Sequence, residues 1–312
     1  MQPQGLLLLG GTGFVGRQLL KRLEPLQREV YVIARNAHLL PKSARIECYR
    51  DSLDNMNLLH ALLPKSKIVI HLACDSTPGS SASQPSYEIN NLLPTLRFLE
   101  ALEQHPSVGL LYISSGGTVY GNQDAAMLQE DTPLNPVSYY GAGKAAVEHF
   151  MLAFAQQTER PITILRPSNF YGPGQCYRTG FGIVATIFQH LRLHQPLSIW
   201  GDGEQVRDYL YIDDFLDLLI QLLDHQPTQS TQQVRIYNVG SEKGTTLNQL
   251  CGLIEQVTDL PILRQYQPAR RVDVRRVVLE CSKIRRDHPW SPRTDLIKGL
   301  TQTWQWFQRT AP

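Results

Sequence analysis

A chain of 312 residues, with 42% apolar and 19% charged residues, is longer than one average domain and has the profile of a globular protein with a sizeable core in two lobes. A formal net charge of +2 is too near neutral to argue for a nucleic-acid or anionic-membrane partner. The five cysteines, at 48, 74, 176, 251 and 281, form neither C-x-x-C pairs nor zinc-ligand spacing, which points to reduced thiols in a cytoplasmic protein and to no metal site.

Gly5-Leu6-Leu7-Leu8-Leu9 is a short, fully apolar run, which predicts a parallel strand covered on both faces. It is too short for a signal peptide, has no basic segment before it, and runs into glycines instead of a cleavage site. No stretch approaches the ~20 apolar residues of a membrane span. The run leads into Gly10-Gly11-Thr12-Gly13-Phe14-Val15-Gly16 and then a helical segment from Arg17 to Leu23. Strand, glycine turn and helix together form the context in which G-x-G-x-x-G binds a dinucleotide. Glycine permits the tight turn and lets backbone amides approach a pyrophosphate at the helix N-terminus. Gly10, Gly13, Phe14, Val15 and Gly16 are therefore candidate cofactor contacts.

The second strand, Val30 to Ile33, ends at Ala34-Arg35-Asn36. A ribose-recognising NAD site usually carries Asp or Glu there, and this chain has neither. Arg35 instead offers a planar cation suited to a 2′-phosphate, which tilts the cofactor, NAD or NADP, toward NADP; a solvated loop arginine is the alternative. Arg45 to Tyr49 predicts a third strand, with Asp51 and Ser52 beyond it as candidate adenine-side contacts. Leu53 to Leu63 reads as helix and Lys67 to His71 as a fourth strand, with Leu72 and Ala73 at the sheet edge where cofactors lie. A Ser/Pro/Gly-rich loop, Asp75 to Pro85, precedes a long amphipathic helix from Ser86 to Gln104. Val108 to Ser114 is a fifth strand, Ser115 to Gly121 a loop, and Ile162 to Arg166 a sixth strand. Strands alternating with helices predict an α/β fold built on a doubly wound parallel sheet.

Between the last two strands, Tyr140 and Lys144 stand four apart at the start of a helix expected from Ala142 to Ala155. Four residues is about one turn, so phenol and ammonium project from one face. A tyrosine has a pKa of about 10, and a cation held beside it favours the phenolate and makes it a usable base. Beyond Pro167 the rhythm breaks at Tyr171-Gly172-Pro173-Gly174-Gln175, and shorter elements rich in aromatics, arginine and turns follow, with a polar surface loop at Gln226 to Gln233. The expected division is a dinucleotide-binding domain at 1–168 and a smaller, partly interleaved C-terminal substrate lobe at 169–312.

Taken in order, GGTGFVG at 10–16, HLA at 71–73, Asn91 before Leu92-Leu93, ISSGGTVYG at 113–121, YGAGK at 140–144, LRPSNFYGPGQ at 165–175, WGDGEQVRDYLYIDD at 200–214, and RRVD at 270–273 ahead of Ser282-Lys283 cover nearly the whole chain. This series resembles the extended short-chain dehydrogenases/reductases of the nucleotide-sugar epimerase/dehydratase type, with a Rossmann-type sheet. The resemblance implies Tyr140 as the acid/base and Lys144 as the group that binds the nicotinamide ribose and lowers the tyrosine pKa. It adds Asn91, Ser114 and Pro167 to the cofactor contacts. It places Asn169, Arg207 and Arg270 on the diphosphate and sugar of a UDP-, dTDP- or GDP-sugar, and Leu197 to Trp200 near the base, with Leu197 and Ile199 as the contacts. Two arginines from separate segments independently suit a diphosphate. One departure stands out. The family usually has Ser or Thr where this chain has Gly116, so Ser115, or else Thr118, is expected to supply the second hydroxyl.

The resemblance implies an NAD(P)-dependent nucleotide-sugar 4-epimerase. The alternatives are an NADPH-dependent 4-keto-6-deoxysugar reductase and, from another class, a non-catalytic dinucleotide-binding sensor or scaffold. A dehydratase fits less well, because the acid pair such members carry is Gly117 and Thr118 here. The resemblance also implies a homodimer, because members of the family commonly pair two such long helices, here 86–104 and 137–156, across a two-fold axis.

Overall fold

The computed structural model describes residues 4–40, 43–224, 233–270 and 272–310; all of the expected Gln226–Gln233 loop except Gln233 lies outside them. The apolar run at the start forms β1 (Gly5–Leu9), every residue of it buried. The glycine turn leads into α1 (Phe14–Leu23), and β2 (Val30–Ile33), β3 (Ile46–Tyr49), α2 (Met56–Leu62) and β4 (Ser66–His71) follow. Next come α3 (Ile89–Glu103), β5 (Gly109–Ile113), α4 (Gly116–Val119), α5 (Tyr139–Thr158) and β6 (Ile162–Pro167).

Strands β1 to β6 pair in parallel in the order β6-β5-β4-β1-β2-β3, and β10 (Val234–Val239) completes a seven-stranded sheet beside β6. This is the Rossmann order, in which the strand order reverses between β1 and β4 and opens a crevice at their carboxyl ends. Leu9 is in register with both Ile33 and His71, so β2, β1 and β4 finish level.

By contact the chain divides into two interleaved compact units. The first is Met1–Ser114, Gly143–Leu165 and Leu219–Ile236; the second is Ser115–Ala142, Arg166–Leu218 and Tyr237–Pro312. The second is as long as the first, not smaller, because it takes residues 115–142 out of the stretch assigned to the nucleotide domain. In the first unit, Leu7, Leu9, Val69 and Leu110 of the sheet pack against Phe98 and Leu102 of α3 and Val147 and Met151 of α5, all at most 3% exposed. Each such side chain contributes about 1.5–3 kcal/mol by leaving water.

The second unit holds β7 (Asn169–Tyr171), α6 (Ile183–Arg192), β8 (Leu197–Trp200), β9 (Val206–Tyr211) and the first part of α7 (Ile212–Asp224). After β10 it continues with β11 (Gly244–Thr246), α8 (Leu247–Thr258), β12 (Arg264–Gln267), β13 (Arg276–Val277), α9 (Ser282–Asp287) and α10 (Leu296–Thr310). β9 lies between β11 and β13 and also pairs with β7, while β8 and β12 make a separate parallel pair. Its core joins Phe188 of α6, Leu250 and Ile254 of α8, and Trp304 and Phe307 of α10.

Several expected elements shift. The helix expected from Ser86 starts at Ile89, after a 3-10 turn over Pro85–Glu88. The Tyr140 helix starts at Tyr139, where Ser138 Oγ accepts the Gly141 N–H at 3.1 Å. The 115–121 loop contains the short helix α4, unexpected because its sequence, Gly-Gly-Thr-Val, is poor in helix formers. No helix among the described residues is long and apolar enough to cross a membrane.

Candidate active site

The glycine loop has the shape a dinucleotide needs. Gly10 has φ +92°, and a Cβ there would lie 2.6 Å from the Ala73 backbone, so the turn is pressed against the exit of β4. A Cβ on Gly16 would meet Gly11 at 2.7 Å, which is the close helix-to-turn approach of this motif. A Cβ on Gly13 would meet nothing nearer than 3.9 Å. Gly13 is the N-cap of α1, so the open space above it faces the unpaired first-turn N–H groups. The residues present thus fit a bound NAD or NADP, with Phe14, Val15 and Gly16 forming the first turn of α1.

The adenosine-side candidates are already engaged. Arg35 forms an ion pair with Asp75. The expected tilt to NADP assumed an unpaired guanidinium, and the loop after β4 supplies a carboxylate that the sequence order does not reveal. Asp51, expected near adenine, accepts the Ser52 N–H and the Asn55 side-chain amide, both at 2.7 Å. Asn55 in turn caps α2, so Asp51 and Ser52 organise that helix start. Asn91 accepts the Asp75 N–H at 2.6 Å and donates to Ser76 Oγ at 2.7 Å and to Glu88 at 2.9 Å, tying the loop beyond Leu72 and Ala73 to α3.

On the β5 side, Lys144 Nζ donates to the Ile113 carbonyl at 3.1 Å and lies 5.2 Å from the centre of the Tyr112 ring. One turn further along α5, the fully buried Glu148 accepts the Ser114 hydroxyl. Two successive residues at the end of β5 are thus gripped by two successive turns of α5. That fixes the helix from which Tyr140 projects, one turn before Lys144. Glu148 was not among the candidates, although it continues the same four-residue spacing. Ser114 spends its hydroxyl on this grip. Behind it, Thr95 Oγ1 donates to Asn91 O at 2.6 Å, so its contact with His71 Nε2 at 3.1 Å has the imidazole as donor. Burial, with the Lys144 charge adding, pulls the His71 pKa down to about 3, so the ring is neutral.

The Gly116 departure has a steric cause within the second unit. A Cβ there would lie 2.7 Å from Leu279 Cδ1 and 2.8 Å from Arg166 O. Ser115 sits at the N-cap of α4 without capping it. Thr118 Oγ1 donates to Ser115 O at 3.5 Å, while the Thr118 carbonyl lies 2.6 Å from where a Cβ on Gly141 would be. The Thr118 backbone thus meets the first turn of α5 at Gly141, the residue after Tyr140. Pro167 ends β6 as a buried residue.

The substrate-side candidates group around β9. Asn169 Nδ2 donates to the Asp208 carbonyl at 3.1 Å, and Arg207 donates to its neighbour Val206 O at 2.8 Å while burial draws its pKa down. Arg270 makes two hydrogen bonds to Asp273, at 2.9 and 2.8 Å, and lies 5.3 Å from the Trp200 ring centre. Asp273 also acts electrostatically on Arg207, so one carboxylate serves both arginines. Leu197 and Ile199 correct the expectation: they are 2% and 0% exposed and face the core. The strand alternates, so Ser198 and Trp200, which the expected contacts passed over, are its exposed side chains.

Residues 6–240 match the NAD dependent epimerase/dehydratase family. The chain is 29% identical over 311 residues to the UDP-glucose 4-epimerase of Mycolicibacterium smegmatis, covering 97% of this chain and 98% of that protein. The crystal structure of the Thermotoga maritima UDP-glucose 4-epimerase with UDP-glucose superposes with a TM-score of 0.88 at 27% identity, covering 99% of this chain and 100% of that one. The Thermus thermophilus UDP-glucose 4-epimerase complex with NAD gives a TM-score of 0.87 at 27% identity, with coverage of 99% and 100%. This chain belongs to the NAD-dependent epimerase/dehydratase family.

Proposed function

We propose that this chain is an NAD(P)-dependent nucleotide-sugar 4-epimerase of the cytoplasm, active as a homodimer. The observation that carries this reading is the α5 constellation: Tyr140 one turn before a Lys144 whose ammonium is anchored on the end of β5. A dinucleotide-binding module has no need of a proton carrier held in this way. The similarity to two UDP-glucose 4-epimerase structures and to a curated UDP-glucose 4-epimerase selects the reaction and favours a UDP-sugar.

In this reading the Tyr140 phenolate, favoured by the Lys144 charge, takes the proton of the sugar 4-hydroxyl and returns it after the 4-keto sugar has turned over. A nicotinamide whose dinucleotide was held by the glycine loop would supply a reversible hydride acceptor for C4, with no net redox change over the cycle. Thr118 is the hydroxyl that hydrogen-bonds the reacting oxygen, in place of a side chain at residue 116. Arg207 and Arg270, sharing Asp273, hold the diphosphate, and Asn169 the sugar.

The test is mass spectrometry of the dinucleotide retained on purification, followed by turnover of UDP-, dTDP- and GDP-sugars with and without NADPH. A C4 epimer formed with no net NADPH consumption supports the proposal. NADPH consumption on a 4-keto sugar without epimer indicates the reductase, and neither activity indicates a binding module. Tyr140→Phe keeps the ring and removes the proton carrier, so turnover is expected to fall roughly 10²–10⁴-fold while dinucleotide binding survives. Near wild-type turnover in that variant refutes the role of Tyr140.

A further inference from the structure

Arg35 stands two residues past the end of β2, and Asp75 four residues past the end of β4. β1 lies between those strands, in register with both at Leu9. The Arg35–Asp75 ion pair therefore straddles the carboxyl end of β1, where the glycine loop begins. Its two members are unequal. The Asp75 side chain is 18% exposed and that of Arg35 is 65% exposed. The Asp75 backbone N–H is held by Asn91 Oδ1 at 2.6 Å, and its carboxylate also accepts from Asn90 Nδ2 at 3.4 Å. α3 thus holds the backbone of Asp75 and gives its carboxylate a second donor, while the guanidinium is the more exposed member of the pair. The bond to Asp75 raises the Arg35 pKa above its ordinary value.

We propose that Asp75 sets the cofactor preference of this chain, supplying from the loop after β4 the carboxylate that the end of β2 lacks and so favouring NAD over NADP. The inference rests on the reading that the glycine loop holds a dinucleotide. A ribose 2′-hydroxyl is a neutral donor that a carboxylate can accept. A 2′-phosphate has no proton to offer at neutral pH beyond a fraction of one. To recruit Arg35 it must break an existing charge-assisted pair, and it then sits beside the Asp75 carboxylate, whose backbone Asn91 holds in place. The arginine that marks this strand end as phosphate-binding in the sequence is thereby neutralised in the fold.

The test is calorimetric titration of NAD and of NADP into the full chain freed of dinucleotide, for the wild type, Asp75→Asn, and Asp75→Asn combined with Arg35→Ala. Displacement of bound NAD by NADP gives the same ratio where the stripped protein is unstable. The wild type is expected to bind NAD about tenfold tighter than NADP or better. Asp75→Asn keeps the size and a hydrogen-bonding carbonyl but frees Arg35, so its NADP affinity should rise about ten- to a hundredfold, while its NAD affinity, with a neutral acceptor replacing the charged one, should fall a few-fold. Adding Arg35→Ala should abolish that gain. A wild type that prefers NADP, or an NAD/NADP ratio that Asp75→Asn leaves unchanged, overturns the inference while the dinucleotide reading stands. Binding of neither dinucleotide overturns both.

Discussion

Asp208 is the residue whose loss should show most clearly how the second unit holds its candidate substrate residues. Its side chain is fully buried and accepts five hydrogen bonds. Oδ1 takes Ser168 Oγ at 3.1 Å and the Ser241 N–H and Oγ at 2.8 and 2.7 Å. Oδ2 takes the Glu242 and Leu279 N–H groups at 3.1 and 3.4 Å. In Asp208→Asn the amide nitrogen must replace one oxygen. At the Oδ2 position it would face two backbone N–H groups, neither of which can reverse. At the Oδ1 position it would face one, and both hydroxyls can rotate to accept from it. The second orientation costs less and leaves one buried N–H without an acceptor, about 1–3 kcal/mol. Burial pushes the Asp208 carboxyl pKa up despite its donors, so losing the charge recovers part of a desolvation cost. The unsatisfied N–H still leaves the variant less stable. Asp208→Ala strands three N–H groups, from Ser241, Glu242 and Leu279, and should cost roughly 3–5 kcal/mol. Urea denaturation followed by near-ultraviolet circular dichroism reads both values. An Asp208→Asn protein within about 0.5 kcal/mol of wild type refutes the reasoning, because surface substitutions do no more than that.

Gly116→Ser restores the hydroxyl type usual in the family but drives a Cβ against Leu279 and Arg166 O, so it should destabilise by about 1–3 kcal/mol without raising turnover; a stable, faster enzyme would contradict the steric account. Ile89, Leu93 and Phe150 are 60%, 47% and 43% exposed on α3 and α5, which supports the proposed two-fold helix pairing. Light scattering should show a dimer at micromolar concentration, and a monomer there counts against it. For His71 the folded pKa, about 3, lies below the ordinary 6.5 because of burial and then Lys144. The unfolded chain alone takes up the proton between these values, so the contribution of His71 to stability is complete above pH 6.5 and lost as pH falls toward 3. By pH 4.5 the loss is about 2–3 kcal/mol. His71→Leu should flatten that part of the stability curve, and an unchanged slope would show that the ring is not buried as a neutral group.

The parts of the fold that could be read from sequence are those whose cause is local. β1 and β2 are continuous apolar runs, and β4 contains one at Ile68–Ile70, because helices cover both faces of a parallel sheet; each strand lies within a residue of its expected place. Element starts moved by a few residues, as at Ile89 and Tyr139. The interleaving of the units could not be read. Residues 115–142 belong with the second unit through long-range contacts such as the Leu128 N–H to Val278 O bond at 2.8 Å. No local pattern encodes a partner 150 positions away.

The candidate site divides in the same way. Tyr140 and Lys144 were legible because one helical turn relates them, and Glu148 extends that relation. A lone glutamate in a helix, though, reads as a surface residue until the strand that buries it is known. Leu197 and Ile199 were misplaced where the local signal was available. Strand alternation put Ser198 and Trp200 on the open side, but a resemblance names a segment and does not orient its side chains. Arg35 shows the opposite limit. Everything near it in sequence was read, and its partner lies 40 residues away. The two meet only because β1 is threaded between β2 and β4, so that both loops end over the same strand. Strand order, not strand content, decides what charge that arginine meets. A cofactor preference inferred from the end of β2 alone therefore has to be reconsidered at every strand whose exit can reach it.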